Sequence, residues 1–341
     1  MADLLLLIPL VLCLWGLKPC RGIHEDPLNR STTHALRGIL ALGILFVHIA
    51  QYCPGWIFFS VIEKLGPSLV APFFFLSGYS LLKQHMTQPN YAKGFLRKRF
   101  LGILLPYLVI TLLYWSYYQL LGKHYQLLHI LELLSRGMLL VSFSWFIPAL
   151  LSFYLAFWGL MKLCKKSYST LVLGGGVWFA LYTLICLVLK FEKWWYLSAF
   201  STVIGMAWAL REQTILKALQ KRYWLWLIAA AVALAGIYVL RYLVASTALI
   251  ILLQCCSTTI FTIFVVLLLY KLQPGNPALG LLGSLSMEIY LMQGLAIKIL
   301  RGPWIYVENP LLYGLLVILL TLAFAAVVHI AFKGIPKKPT R

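Results

Sequence analysis

Arg37 and His48 lie eleven residues apart in Arg37-Gly-Ile-Leu-Ala-Leu-Gly-Ile-Leu-Phe-Val-His48, a segment that otherwise reads as a membrane-spanning helix. An α-helix advances about 100° per residue, so eleven steps return the two side chains to one face, with a rise of about 16 Å between them. This predicts a cation at a membrane boundary and a titratable group on the same line near mid-depth. A charged group at the bilayer centre costs about 2.5–3.5 kcal/mol on insertion scales, so apolar packing gives no reason for the pair. An imidazole titrates near neutral pH and can take a proton from a hydroxyl nucleophile. The alternative for His48 alone is a neutral ring bonded to a backbone carbonyl of another helix.

Other polar groups in apolar runs are few. Glu288, in Ser284-Leu-Ser-Met-Glu288-Ile-Tyr290-Leu-Met-Gln293, is the only carboxylate in an apolar span. It reads either as a hydrogen-bonded helix tether or as a second acid–base group. His329, near the end of the last span, reads as interfacial. Gln254, Thr258 and Thr262 repeat every four residues, hence on one helix face. Such residues tie membrane helices together, with a polar cavity as the alternative. Lys93, Arg97, Lys98 and Arg99 form the densest basic loop, ahead of Pro106-Tyr107. The loop is either a topology anchor or a phosphate clamp, in which Arg97 and Arg99 offer planar donors to a polyphosphate. No metal-ligand spacing occurs. The 7 cysteines are scattered, mostly in apolar runs, and their odd number argues against a disulfide framework.

The elements that must position these groups are membrane helices. The 341 residues are 62% hydrophobic and only 11% charged, a balance that no soluble domain carries. Apolar runs predict eleven spans, near 2–17, 36–53, 67–83, 100–121, 137–161, 168–189, 194–210, 223–240, 246–270, 279–299 and 311–332. The net charge of +20 sits in short loops between them, which points to membrane topology and away from nucleic acid. If residues 18–35 face the cytoplasm and the chain alternates, 20 of the 29 Lys and Arg fall on cytoplasmic segments and eight on the other face, with Arg37 at the cytoplasmic mouth of its helix. The C-terminus is then cytoplasmic. The first run, Leu4 to Leu17, is short. No Lys or Arg precedes it and no small-x-small cleavage site follows, so it reads as an uncleaved helix with its N-terminus outside.

At this point the residues resemble those of the membrane-bound acyltransferase-3 family, O-acyltransferases of bacterial cell-surface polysaccharides and similar acceptors. Arg37-(ten residues)-His48 resembles its signature, and Pro72-Phe-Phe-Phe-Leu-Ser-Gly78-Tyr79 its second motif. Phe95-Leu-Arg97-Lys98-Arg99-Phe-Leu-Gly-Ile-Leu-Leu-Pro106-Tyr107 resembles its basic loop, Ser144-Trp145-Phe146 a recurring Trp-Phe, and Leu282-Gly-Ser-Leu-Ser286-Met-Glu-Ile-Tyr290-Leu its late segment. Two positions depart from the pattern. Gly102 or Ile103 stands where the family often carries a further arginine, and Gln293 where it often carries histidine.

The resemblance implies an all-α polytopic membrane protein: a ten-helix core over residues 30–332, with residues 1–29 as an extra N-terminal membrane helix and connection, and 333–341 as a basic tail. It implies a multi-pass enzyme of the cell membrane that moves an acyl group, acetyl first among them, from cytoplasmic acyl-CoA to a hydroxyl of a surface polysaccharide or lipid-linked sugar. The donor is a substrate, and no tightly bound cofactor or metal is expected. In that reading His48 is the general base, and Arg37 with Arg97 and Arg99 meets the CoA phosphates. Glu288 supplies any second titratable group. Ser77, Tyr79 and Trp145 are the candidates beside the acyl donor. The expected partners are acyl-CoA, a carbohydrate acceptor and the lipid bilayer, without nucleic acid. A transporter or flippase for the same polysaccharides or lipid-linked intermediates is the competing class.

Overall fold

The fold comes from a computed structural model that describes residues 5, 7–53, 57–124, 126–164 and 167–333. Those residues form fourteen α-helices and a single two-stranded pair. The helices are α1 (Leu7–Leu14), α2 (Arg30–Ala50), α3 (Ile57–Glu63), α4 (Gly66–Thr87), α5 (Phe95–Leu120), α6 (Leu127–Ser135) and α7 (Phe146–Leu163), then α8 (Tyr168–Val188), α9 (Ser201–Leu210), α10 (Glu212–Leu243), α11 (Thr247–Leu269), α12 (Pro277–Ser284), α13 (Ser286–Leu300) and α14 (Pro310–Lys333). The strands β1 (Lys18–Pro19) and β2 (Leu272–Gln273) pair antiparallel. The protein is an all-α polytopic membrane protein.

Where the sequence predicts eleven spans, seven described helices are long and apolar enough to cross a membrane, or eight if one bent pair counts as a span. The differences have local causes. The helix in the first run has only eight residues, a rise of about 12 Å against a hydrocarbon core of about 30 Å. The run at 194–210 is helical in α9 alone, after a 3-10 turn at Lys193–Trp195. The run at 279–299 breaks at Leu285 into α12 and α13, bent by 73°. α4 has the length of a span, but Ser77, Lys83, Gln84 and His85 lower its apolarity. Pro106 lies inside α5, as the predicted span 100–121 requires.

α2 is the central post. Asn29 starts it by accepting a hydrogen bond from the Thr32 amide at 3.0 Å. Its apolar window is 67% buried in the protein, against 6% for α10, which faces outward along most of its length. Two glycine crossings set the tightest packing. A Cβ on Gly38 would press on the Leu279 carbonyl, and one on Gly283 would strike the His34 carbonyl, so α2 and α12 meet backbone to backbone. Gly78 faces the Thr202 carbonyl and Gly205 the Phe75 carbonyl, which joins α4 to α9 in the same way. Small residues permit such approach in membranes, where association rests on close packing more than on expelled water. Around these crossings lie Phe74, Phe75, Phe153, Phe157 and Tyr114, all fully buried.

Polar side chains then fix neighbours. Thr258 donates to the Leu197 carbonyl at 2.7 Å, tying α11 to the turn before α9, so the Gln254–Thr258–Thr262 face includes a helix tether. Glu212 accepts from the Tyr79 hydroxyl at 2.6 Å and pairs with Lys83. Loop contacts bring distant segments together: Lys271 Nζ donates to the Arg21 carbonyl at 2.9 Å, and Arg301 donates to the Tyr52 carbonyl at 3.2 Å.

Candidate functional site

Five helices enclose a cavity of about 320 Å³. Each presents residues at helical spacing, so each contributes one face. α2 gives Arg37, Ala41 and Ile44; α4 gives Val70, Phe73 and Ser77; α5 gives Lys98, Arg99, Gly102 and Ile103; α7 gives Phe146, Ile147, Leu150 and Tyr154; α13 gives Ser286, Met287 and Tyr290.

Three cations line the cavity: Arg37, Lys98 and Arg99. Arg99 is held in place, donating through Nη2 to Gln84 Oε1 at 3.1 Å and to the Tyr91 hydroxyl at 2.7 Å. Its guanidinium carbon lies 6.0 Å from the Tyr154 ring centre. Burial raises the Tyr91 phenol above its ordinary pKa, and the Arg99 charge pulls the other way. Among the described residues, no carboxylate is ion-paired with any of the three cations. The cluster is therefore a concentration of positive charge open to an anion.

The inner wall is aromatic and tied to a turn. The Tyr290 hydroxyl donates to the Phe143 carbonyl, and the Phe146 amide donates to the Tyr290 oxygen at 3.4 Å. Phe143 adopts φ +65°, left-handed backbone that is uncommon for a bulky residue. The turn is also anchored by Ser144, whose Oγ donates to the Val141 carbonyl at 2.8 Å and lies 3.2 Å from the Tyr107 hydroxyl. This turn occupies residues that the sequence predicts as the start of the span 137–161; the helix itself begins at Phe146.

His48 is one helical turn beyond Ile44 on the α2 face that lines the cavity, but it does not line the cavity. Its ring stacks on Phe143, with centres 3.7 Å apart and planes at 20°. Nδ1 is 3.5 Å from Gln51 Oε1, a long contact. His48 is in the last turn of α2 rather than midway along it, because the helix starts at Arg30 and stops at Ala50.

The remaining predicted residues separate. Ser77 lines the cavity, and its hydroxyl donates to the Phe73 carbonyl at 2.9 Å. Arg97 is exposed and outside the cavity. Tyr79 is engaged with Glu212. Trp145 packs 6.2 Å from Phe74 and 6.5 Å from Trp195, ring centre to ring centre, behind the wall that Phe146 forms. Glu288 Oε1 lies 2.9 Å from His329 Nδ1, joining α13 to α14 away from the cavity and giving His329 a partner within the protein.

The cavity also includes residues that sequence reasoning did not place there: Lys98, Tyr154 and Tyr290. The signal for Lys98 was available. Residues 97 and 99 are about 200° apart on a helix, so one face cannot present both. Residues 98, 99, 102 and 103 do share a face, and Gly102 and Ile103 form the wall where a further arginine is often found in the family pattern. Phe143 had no sequence signal, since its importance lies in a backbone conformation and a tertiary stack.

Comparison with known proteins gives one family. The model of an acyltransferase domain matches residues 33–330. No curated protein matches the chain. No solved structure matches it either. The match takes in α2 through most of α14, all five helices of the cavity and both Arg37 and His48, and the chain belongs to the acyltransferase-3 family.

Proposed function

We propose that the protein transfers an acyl group, acetyl in the first instance, from cytoplasmic acyl-CoA to a hydroxyl of a surface polysaccharide or lipid-linked sugar. The observation that carries this reading is the cavity where Arg37, on the α2 face that leads to His48, joins Lys98 and Arg99 of α5, none of the three ion-paired with a carboxylate among the described residues. The cations bind donor phosphates. The aromatic and aliphatic walls from α4, α7 and α13 shelter the arm that bears the thioester, with Ser77 beside it. Arg97 attracts the anionic donor from the exposed surface without touching it in the cavity. The charge bias of the loops supports a cytoplasmic cation end, a C-terminus on the same side and a chain that crosses the cell membrane several times.

His48 is the general base. Gln51 Oε1 can only accept, so the tautomer that suits it carries the proton on Nδ1 and leaves the Nε2 lone pair free. Nε2 takes the proton of the acceptor hydroxyl as its oxygen attacks the thioester carbonyl carbon. The carbon–sulfur bond breaks, the CoA thiolate leaves and takes up a proton, and the acyl group ends as an oxygen ester. Phe143 covers the imidazole before this can occur, so its ring moves aside in the productive complex. Glu288 acts by joining α13 to α14, and Tyr79 and Trp145 support the walls.

Purified protein in lipid nanodiscs, given labelled acetyl-CoA and a polysaccharide or lipid-linked sugar acceptor, should place label on the acceptor. A transporter of the same molecules should place none. Arg37→Ala is expected to raise the acetyl-CoA KM about ten- to a hundredfold, as loss of a charge-assisted bond of about 1.5–3 kcal/mol requires. Steady-state kinetics check this, and an unchanged donor dependence would remove Arg37 from the phosphate site.

A further inference from the structure

Lys98 and Arg99 line two cavities at once. Besides the inner cavity, they face an outer one of about 330 Å³ between the end of α4 and the start of α5, whose lining includes Gln84, Gln88, Asn90, Tyr91 and Lys93. Its volume falls at the small end of ligand pockets, which run to about 300–1,000 Å³. Its chemistry differs from that of the inner cavity. Three carboxamides offer both donors and acceptors, as the edge of a heterocyclic base requires. The Tyr91 phenol already orients Arg99 at 2.7 Å, and Lys93 and Lys98 add exposed positive charge. Among the described residues, no carboxylate lines either cavity.

We propose that this outer cavity seats the nucleotide end of the acyl donor. The base lies among Gln84, Gln88, Asn90 and Tyr91, and the phosphates lie on Lys93, Lys98 and Arg99. The pantetheine arm then passes the shared cations into the inner cavity. This assignment rests on the acyl-CoA reading given above and adds to it a seat for the part of the donor that takes no part in the reaction. Binding energy from such a remote part can hold the reacting thioester in position.

The test compares two donors on the full-length protein in nanodiscs: acetyl-CoA, and S-acetyl-pantetheine, which has the same thioester and arm without the nucleotide. The wild type should prefer acetyl-CoA by about a hundredfold in kcat/KM, as two charge-assisted contacts predict. Tyr91→Ala and Lys93→Glu should each reduce that preference about tenfold, mainly through the acetyl-CoA KM. Lys93 is exposed, so its variant stays informative if Tyr91→Ala folds poorly. Equal use of both donors by the wild type, or an unchanged preference in both variants, overturns the outer seat and leaves the acyl-CoA reading standing. A wild type that transfers from neither donor overturns the acyl-CoA reading and the seat with it.

Discussion

His48→Ala is expected to lower acyl transfer by about 10²–10⁴-fold, the usual contribution of a positioned general base, while the protein remains folded in the membrane. The fold should survive because little depends on this imidazole. Its polar contact is the long one to Gln51, and its main packing partner is the Phe143 ring. Loss of one aromatic stack removes about 0.5–1.5 kcal/mol beyond burial, and the Phe143 turn keeps its own anchors at Tyr290 and Ser144. The acetyl-CoA KM should change little, because Arg37, the proposed donor contact on the same helix, is about three helical turns away. His48→Gln, which keeps a polar side chain without the basicity, should be as inactive as alanine. The measurements are label transfer at saturating donor, donor KM and thermal unfolding. Activity near wild type in either variant would end the base assignment.

Gly78→Ala should cost about 3 kcal/mol of stability, the upper part of the range for overpacking a close contact. The added methyl would land on the Thr202 carbonyl, part of the α9 backbone, which cannot swing away as a long side chain can. α4 and α9 must separate, and the paired contact of Gly205 with the Phe75 carbonyl opens with them. Phe73 and Ser77 move on the same helix, so the cavity wall is displaced and activity falls as well. Gly176→Ala in α8 is the control. Nothing lies within 4 Å of the position a Cβ would occupy, and the better helix former should be neutral or stabilising by roughly 0.5–1 kcal/mol. Thermal unfolding and monodispersity of both variants in detergent decide the matter. A Gly78→Ala protein as stable as the wild type would show that the two helices do not meet backbone to backbone.

The two predictions differ in how readily the sequence reveals them. The Arg37–His48 spacing, the charge bias of the loops and the apolar runs identify the membrane class, most of the helices and the α2 face that lines the cavity. They do so because helix period and bilayer thickness are local constraints. Span count is less legible, since α1, α9 and the α12–α13 bend depend on partners that shelter short or broken segments. Among site residues, Arg37, Arg99 and Ser77 meet at the cavity as the sequence suggests. Tyr79 and Trp145 lie in the same motif segments but turn toward Glu212 and Trp195, because neighbouring positions on a helix point in different directions. Tyr154 could not be singled out, being one more aromatic on an apolar helix. The partner of Glu288, His329, lies 41 positions along the chain, beyond the reach of any local sequence pattern.

In the acyl transfer proposed above, the Phe143 ring on His48 would bear on how a thioester escapes waste. A base open to both donor and water would catalyse hydrolysis as readily as transfer, and every idle encounter would consume activated acyl groups. In this structure Phe143 is stacked on the imidazole and its carbonyl accepts from Tyr290, so the proposed base is covered. The left-handed backbone at Phe143 costs of the order of 1–3 kcal/mol, and the anchored turn carries that cost to hold the ring where it is. Under that proposal, selectivity for a sugar over water would come from the timing of base exposure. Bulk water is far more concentrated than any sugar, and a single aromatic ring would offset that disadvantage by staying in place until the acceptor arrives.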